Sequence, residues 1–267
     1  MSNFFSALRH YYIVLLGKFF MNQQLKIDFH IHTYEDTDNY IDYNAYDLID
    51  RAVILSFDAI AITNHDMIIY DSKLAAYAEK RGILLFPGVE RSIDHKHLLL
   101  INFSDIDSLD TYDAIQHAKN DNNLVIAPHP FFPGMQSLGK DMYFHPGLFD
   151  AIEYCHFYNH RLNFNREAMR FAKAYGLPLI AGSDAHTQEQ FGRCYSLVNS
   201  DKNRYAIIQA IKKGHVQVVA PPLTLAKMIR IYLKILSNKP NLKRAFVRIQ
   251  GIINRLRYLS ETKKYLQ

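Results

Sequence analysis

The chain has 267 residues, of which 49% are hydrophobic, so it is long enough for one large α/β domain with a buried core and too short for two. Its 13 histidines favour a metal or acid–base site, because histidine is the commonest metal ligand and titrates near neutral pH. The two cysteines, Cys155 and Cys194, lack a C-x-x-C spacing, which argues against a disulfide framework or a thiolate zinc site and favours a cytoplasmic location.

The charge is unevenly placed along the chain. The net charge is +5, from 31 Lys and Arg against 26 Asp and Glu. Residues 221–267 hold 11 of the basic residues and one acid, so this tail carries +10, while the remainder has 20 basic and 25 acidic residues and carries −5. We therefore predict an N-terminal amphipathic segment over residues 1–22, a main domain over 23–220 and a basic helical tail over 221–267.

The N-terminal segment repeats large apolar residues at one-turn spacing from Phe4 to Phe19, a pattern that predicts an amphipathic helix. No run of about 18 apolar residues is present, so no ordinary transmembrane helix is expected. Residues 12–16 could pass for a short signal-peptide core, but no small-residue cleavage site follows them, and Met21 is an alternative start to Met1. We favour a docking helix or an over-long start over membrane association.

The main domain alternates short β-rich runs with amphipathic runs. Strands are predicted over residues 25–30, 58–63, 83–89, 96–103, 124–128, 150–154 and 177–182. Helices are predicted over residues 46–55, 72–81, 109–120 and 164–175, with Gly82 and Gly176 as stop signals after the second and the fourth. Seven strands that alternate with helices indicate parallel βαβ units, arranged either as a barrel or as an open sheet.

Metal-type side chains recur where these strands end. His30, His65, Glu90, His129 and Asp184 each lie at or just past the end of a different predicted strand. In parallel barrels the carboxyl ends of the strands open on one face, and that face carries the chemistry. Five strand ends therefore deliver candidate ligands to one rim.

Two of these strand ends offer a second ligand. His30 and His32 lie two apart and face the same side of a strand, so they can hold one cation, and Asp28 lies one step back, where it can orient a ligand histidine. Asp184 and His186 are also two residues apart, in G-S-D-A-H. A lone H-x-H pair is weak evidence, since such motifs occur by chance in a histidine-rich chain.

The other candidates come from single positions. Glu90 closes a buried strand and suits a bridging role, because a carboxylate can join two cations. We prefer His97 to His95 as a ligand, since the apolar core run continues directly from His97. The prolines on either side of His129 restrict the backbone, and we expect them to hold that residue extended.

The ordered set D-x-H-x-H, T-N-H-D, G-V-E, K-H-L-L, P-H-P and G-S-D-A-H, over about residues 25–220, resembles the PHP (polymerase and histidinol phosphatase) family of metallohydrolases. The resemblance implies a distorted seven-stranded (β/α) barrel, here with added N- and C-terminal amphipathic helices. It also implies hydrolysis of phosphate esters with a cluster of two or three divalent transition metals, Mn, Fe or Zn.

Carried over by position, the resemblance implies three metal sites. The first would use His30, His32, Glu90 and Asp184, the second Glu90, His97 and His129, and the third His65 and His186. The family often adds a further His or Asp to the third metal, and here Asp36 and Asp38 are both candidates. Because that partner is uncertain, two metals are a safer expectation than three.

The expected chemistry is attack on phosphorus by a hydroxide that bridges two metals. The candidate catalytic residues are Asp184 and His186, together with Arg161 and Arg193 as phosphate contacts, since arginine offers a planar fork matched to phosphate. An ordinary surface role is an equal alternative for both arginines. The substrate would be a small phosphomonoester, such as histidinol phosphate or a nucleotide, or the end of an oligonucleotide.

The basic tail supports several interpretations. Residues 225–236 and 242–257 predict two amphipathic helices, whose apolar faces either pack on the barrel or meet an anionic membrane or a nucleic acid. The alternative function is therefore a non-catalytic metal-binding module that docks a nucleic acid or an anionic membrane through this tail. The intact ligand set argues against that alternative.

Overall fold

The computed structural model describes residues 24–39 and 41–238. The predicted N-terminal segment and the second tail helix therefore lie outside the described residues. The described chain folds into one nine-stranded sheet that curves into a nearly closed barrel, with six α-helices around it.

The strands are β1 (Gln24–Asp28), β2 (Ala59–Ile62), β3 (Leu84–Ile93), β4 (Lys96–Ile101), β5 (Leu124–Ala127), β6 (Ala151–Glu153), β7 (Leu179–Ile180), β8 (Tyr195–Asn199) and β9 (Val216–Val219). Their order in the sheet is β7-β6-β5-β4-β3-β2-β1-β8-β9. The two end strands, β7 and β9, lie beside each other and nearly close the barrel.

All seven predicted strands are present, but the predicted number of seven is wrong. Strands β8 and β9 were not predicted, because they are short and partly exposed and lack the apolar runs of the central strands. Strand β8 pairs antiparallel with β1, at Ile27 opposite Ser196, and β9 pairs antiparallel with β8. This added hairpin supplies the strands that nearly complete the barrel.

The prediction of purely parallel pairing is also wrong. Strands β1, β2 and β3 are parallel, as are β5, β6 and β7, but β4 runs antiparallel to both β3 and β5. The cause is the two-residue turn Asp94 and His95, which have φ angles of 49° and 63°. Two left-handed residues form a tight hairpin turn, and such a turn can join only antiparallel strands.

The helices are α1 (Ala45–Ile54), α2 (Ser72–Glu79), α3 (Tyr112–Ala118), α4 (Asn165–Tyr175), α5 (Arg204–Lys212) and α6 (Leu225–Asn238). The four helices predicted in the main domain correspond to α1 to α4. Helix α1 begins with a capping box in which the Asn44 side chain accepts from the backbone N–H of Asp47 and the Asp47 side chain accepts from that of Asn44. Helix α4 ends at Gly176, whose φ of 67° is the left-handed conformation that glycine adopts without strain.

The barrel interior is filled by small and branched apolar side chains from strands all round the sheet, among them Leu25, Ala61 and Ile126. Helix α5 packs into the same cluster, and its Lys212 donates to the carbonyl oxygen of Asn120, just before β5 begins. This end of the barrel is therefore closed by apolar packing. The opposite end, where the parallel strands finish, is left for polar groups.

Helix α6 is only partly packed on the barrel. Met228 is buried, which agrees with the packing interpretation of the tail. Leu225, Ile229 and Leu233, however, are 61%, 52% and 58% exposed, so a second apolar stripe faces outward. In the described part of the chain, every helix is too short or too polar to cross a membrane.

Candidate metal centre

The predicted ligands converge at the end of the barrel where the parallel strands finish. His30 follows β1, His65 follows β2, His129 follows β5 and Asp184 follows β7. Glu90 differs from the prediction, because it lies inside β3 rather than past its end. It stands where β3 leaves its ladder with β2 and continues into the hairpin with β4, and a single bridge pairs it with His65.

The Glu90 carboxylate lies at the centre of the cluster and is 1% exposed. Its Oε1 is 2.8 Å from Nδ1 of His97, 3.4 Å from Nε2 of His30 and 3.4 Å from Nε2 of His129. Its Oε2 is 3.3 Å from Nε2 of His32 and 3.2 Å from Nε2 of His65. Five imidazoles thus surround one carboxylate, an arrangement in which each oxygen can serve a different cation.

A second carboxylate, Asp184, faces the first histidine pair. Its Oδ1 is 3.4 Å from Nε2 of His30 and 3.4 Å from Nε2 of His32. Nδ1 of His186 is 3.4 Å from the same oxygen and 3.0 Å from the Asp184 carbonyl oxygen. His30 and His32 therefore lie between the carboxylates of Glu90 and Asp184.

Three groups of ligand atoms in the described chain are compact enough to hold a cation: His30, His32 and Asp184; His30, Glu90 and His129; and His32, His65 and Glu90. The first matches most of the first predicted site. The others share Glu90, as its predicted bridging role requires. His97 and His186 contact these carboxylates but belong to none of the three groups, and the ligand roles of all eight residues remain predictions.

The residues present fit divalent transition metals. Nε2 of His30 and Nε2 of His32 are buried and have no hydrogen-bond partner among the described residues. A buried imidazole nitrogen without a partner is costly, and a cation between these atoms and the carboxylates would remove that cost. Mixed imidazole and carboxylate ligands suit Zn, Fe or Mn without choosing among them.

Carboxylates behind the histidines hold their rings in place. Glu153 Oε1 is 2.9 Å from Nδ1 of His30, and Asp36 Oδ2 is 2.8 Å from Nδ1 of His32 and 2.8 Å from Nδ1 of His65. When Nδ1 donates to such an acceptor, Nε2 is left as the metal-binding nitrogen. Asp36, predicted as a ligand, is therefore placed as an orienting residue.

The structure also bears on the predicted roles of Asp38 and Asp28. The other oxygen of Asp36 accepts from the backbone N–H groups of Asp38 and Asn39, so both its oxygens are occupied, while Asp38 itself is exposed at the cavity. Asp28 does not orient a ring as expected. Its Oδ1 accepts from the backbone N–H groups of His30 and Ser183, and so ties β1 to the loop that carries Asp184.

The charged groups of the cluster shift one another's pKa values. Burial alone would lower the pKa of His30, but the carboxylates of Glu153, Asp184 and Glu90 raise that pKa well above its usual value. Burial would likewise raise the pKa of Glu90, yet the imidazoles of His97 and His30 hold it well below its usual value. The raised pKa of His30 favours its protonated form when no metal is bound, and a cation that binds there would displace that proton.

The backbone at the site is strained. His129 has a φ of 30° and Asp184 a φ of 46°, both in the left-handed region that residues with a Cβ avoid. The expectation that the flanking prolines hold His129 extended is therefore wrong. The backbone N–H of His129 donates to Glu153 Oε2 at 2.8 Å, and this bond holds the turn that points the ring toward Glu90.

A cavity of about 360 Å³ opens beside the cluster. It is lined by Asp38, Asn39, His65, Glu90, His97, His129, Phe132, Pro133, Gly134, Gln136, Ser137, Cys155, His156, Phe157, Asp184 and His186. Neither Arg161, which is exposed, nor Arg193 lines it, so the cavity does not support their predicted role as phosphate contacts.

The sequence reasoning missed several of the residues that form the site. Glu153 is the last residue of β6 and could have been found by the same strand-end rule that selected the other ligands. His156 and Phe157 lie in the loop after β6, whose fold depends on distant contacts, and no local pattern marks them.

Comparisons with known proteins agree with this fold. A family model described as PHP-associated, PHP_C, matches residues 163–216 and confirms the family resemblance predicted from the motifs. No curated protein matches the sequence. The structure is similar to that of PsfC from Pseudomonas syringae PB-5123, with a TM-score of 0.50, 17% identity and coverage of 84% of this chain and 99% of that one.

Two further solved structures are similar at lower scores. One is the lesion-specific endonuclease PfuEndoQ from Pyrococcus furiosus, with a TM-score of 0.49, 17% identity and coverage of 78% of this chain and 66% of that one. The other is an amidohydrolase from Chromobacterium violaceum with bound sulfate and no metal, with a TM-score of 0.47, 15% identity and coverage of 73% and 98%. At these identities the similarity concerns the fold alone.

Proposed function

We propose that this chain is a member of the PHP domain family and a metal-dependent phosphoesterase that hydrolyses a phosphomonoester. The observation that carries the proposal is the cluster of histidines around Glu90 and Asp184, with two buried and unpartnered Nε2 atoms, at the mouth of a cavity. Each of these atoms lies 3.3–3.4 Å from carboxylate oxygens of Glu90 and Asp184 without a hydrogen bond to either, which is the arrangement expected of atoms that share a cation.

Two or three divalent transition metals, Mn, Fe or Zn, would supply positive charge for the phosphate oxygens and lower the pKa of water when bound. His30, His32, Asp184, Glu90, His129 and His65 would hold them, with Glu153 and Asp36 orienting the rings. In hydrolysis a water oxygen bonds to phosphorus, the ester P–O bond breaks, and the alcohol leaves with a proton.

Asp184 and His186 are the candidate catalytic residues that reach the cavity. The nearby imidazoles hold the pKa of Asp184 well below its usual value in spite of its burial, so its carboxylate is ionised and can accept a hydrogen bond from the attacking water. Burial lowers the pKa of His186 to about 4, so this imidazole is neutral near neutral pH and can offer a ring nitrogen as a ligand or a hydrogen-bond acceptor.

The test combines metal analysis with a substrate panel. Protein purified without added metal should contain at least one transition metal per chain, and Mn-loaded protein should release phosphate from phosphomonoesters. Asp184→Asn should lower that activity at least a hundredfold, while Asp121→Asn, exposed at the far end of the barrel, should leave it unchanged. Absence of both bound metal and activity across the panel would reject the proposal.

A second candidate function is docking through the tail, as a non-catalytic module. The observation that favours it is the exposed stripe Leu225, Ile229 and Leu233 on α6, beside the basic residues Lys227 and Arg230. Basic residues next to an anionic membrane or nucleic acid each contribute on the order of 1 kcal/mol at low salt. Lys227→Glu combined with Arg230→Glu should therefore weaken binding to anionic vesicles or DNA at least tenfold without changing phosphate release.

A further inference from the structure

Helix α6 is anchored to the end of the barrel that carries the candidate metal centre. The backbone N–H of Leu223, just before the helix, donates to the Tyr158 carbonyl oxygen at 2.8 Å. The Asn159 side-chain amide donates to Sδ of the buried Met228 at 2.9 Å. Tyr158 and Asn159 belong to the loop after β6, directly after the cavity-lining Phe157. One face of α6 is therefore fixed on a loop that lines the cavity.

Another face of α6 carries an apolar stripe that points to solvent. Its members, Leu225, Ile229 and Leu233, are 61%, 52% and 58% exposed and recur every four residues, so they lie along one side of the helix. Leu162 is 49% exposed and lies in the turn after β6, where its backbone N–H donates to the Asn159 side chain. Exposed aliphatic side chains aligned in this way mark an interaction surface.

The charge that accompanies the stripe is of one sign. Residues 221–267 hold 11 Lys and Arg and a single acid, Glu261. Next to Ile229, Arg230 is 72% exposed and pairs with Glu189 of the loop after β7, at 2.9 Å. An exposed ion pair of this kind contributes little to stability, so Arg230 remains available to another anion.

An anionic bilayer suits this surface better than the alternatives. A second copy of α6, or residues 242–257 of the same chain, would bring more Lys and Arg beside Arg230 with no acid to pair with them. Nucleic acid would match the charge, but it binds proteins through phosphates and stacked bases, which aliphatic side chains do not complement. A bilayer with anionic lipids supplies both negative headgroups for the basic residues and an apolar interior for the stripe.

We propose that α6 docks on an anionic bilayer through Leu225, Ile229 and Leu233, with Arg230 at the headgroups, and so holds the metal-centre end of the barrel at the membrane surface. This inference rests on the docking function considered above, for which it names one partner and one surface. It is independent of whether the chain hydrolyses a phosphomonoester. Among the described residues the cavity lining includes none from α6, so docking leaves the lining side chains in place.

The first experiment measures binding of the full-length protein to three probes: vesicles of phosphatidylcholine, vesicles that also contain phosphatidylserine, and duplex DNA. We expect binding to the anionic vesicles to exceed binding to either other probe by at least about tenfold. That binding should weaken as added salt screens the headgroups.

A variant of the stripe tests its apolar contribution. The combined substitutions Leu225→Gln, Ile229→Gln and Leu233→Gln should lower the affinity for anionic vesicles at least about tenfold, because the helix then gains little from apolar burial. The control combines Ile54→Gln on α1 with Tyr205→Gln on α5, which are 70% and 56% exposed, and should bind as the unmodified protein does.

A second variant tests the charge. Arg230→Glu should weaken binding to anionic vesicles at least about fivefold, since each basic residue near the headgroups adds to the attraction. The matched control is Arg170→Glu on α4, because Arg170 is also an exposed arginine and pairs with Glu167 at 3.0 Å. This control should leave vesicle binding unchanged.

A fluorescent label shows whether α6 itself meets the lipid. Ile229→Cys offers an exposed thiol, whereas Cys155 and Cys194 are buried. An environment-sensitive dye on residue 229 should shift its emission to the blue with anionic vesicles and be quenched by quenchers attached to acyl chains. The same dye on Tyr205→Cys, at the closed end of the barrel, should show neither change.

The outcomes separate this inference from the proposed functions. Binding to DNA without binding to vesicles overturns the bilayer as the partner and leaves docking itself standing. Unchanged vesicle binding in the stripe variant, or vesicle binding without a response of the label at residue 229, overturns the role of α6. Phosphate release is measured separately from a water-soluble phosphomonoester, and its absence counts against the phosphoesterase function alone. The label and the vesicle preference of the unmodified protein remain decisive if the stripe variant fails to fold.

Discussion

Replacing Glu153 by glutamine tests whether the carboxylate behind the cluster sets the metal-binding state of His30. Glu153 accepts two hydrogen bonds, from Nδ1 of His30 at 2.9 Å and from the backbone N–H of His129 at 2.8 Å. Glutamine has only one oxygen, and its amide nitrogen would face a donor. At a residue that is 2% exposed, glutamine therefore either loses the bond to one of these donors or makes Nδ1 of His30 the acceptor, which would put the proton on Nε2, the nitrogen expected to bind metal.

Two estimates of the magnitude agree. A buried donor left without a partner costs about 1–3 kcal/mol. Loss of a residue that orients a metal-binding histidine usually lowers metal affinity about 10- to 100-fold, which equals about 1.4–2.8 kcal/mol. We therefore expect Glu153→Gln to bind Mn or Zn at least tenfold more weakly, while the variant remains folded.

The assay is a competition titration of metal against a chelator of known affinity, with thermal melting to check the fold. Glu167→Gln is the matched control, because Glu167 is a partly exposed residue on α4 that pairs with Arg170 and Tyr143 away from the cluster. Metal affinity within about twofold of the unmodified protein in Glu153→Gln would refute the orienting role. So would an equal loss in the control.

Three further predictions follow from the packing and charge of the site. Gly182→Ala would place a Cβ 2.5 Å from the Glu153 carboxylate, so urea unfolding should show a loss of about 1–3 kcal/mol, whereas Gly147→Ala, with nothing within 4 Å, should be neutral; equal stability of the two would contradict this. Burial raises the pKa of Cys194 to about 12, and Cys155 is also buried, so neither thiol should react with a disulfide reagent near neutral pH before unfolding; rapid native labelling would contradict it. Because the histidine pair after β1 has a raised pKa, metal binding should release protons and its apparent affinity should rise with pH; calorimetric heats independent of the buffer would count against this.

The elements that could be predicted from the sequence are those with local causes. The central strands are nearly continuous apolar runs, and the stop at Gly176 needs only a left-handed backbone. His97 was preferred to His95 from the core run alone, and the structure agrees, since His97 is 4% exposed and contacts Glu90 while His95 lies in the exposed turn.

Ligand-type residues at strand ends were also visible in the sequence, because parallel strands that finish on one side bring distant positions together. The amino-acid sequence thus predicted most of the side chains that meet at the candidate centre, with Glu90 as the residue they share, but not Glu153. It left open the strand count, the direction of β4 and the partners of each imidazole.

Those features were decided only by the tertiary structure, because each depends on contacts between distant parts of the chain. Glu153 lies 123 residues from the histidine that it orients, and Asp36 lies 29 residues from His65. Arg161 seemed suited to phosphate from its residue type, but its exposed position excludes it from the cavity lining. Residue type and local pattern identify candidate ligands, whereas the closing of the barrel decides which nitrogen of each ring faces the carboxylates and which side chains line the cavity.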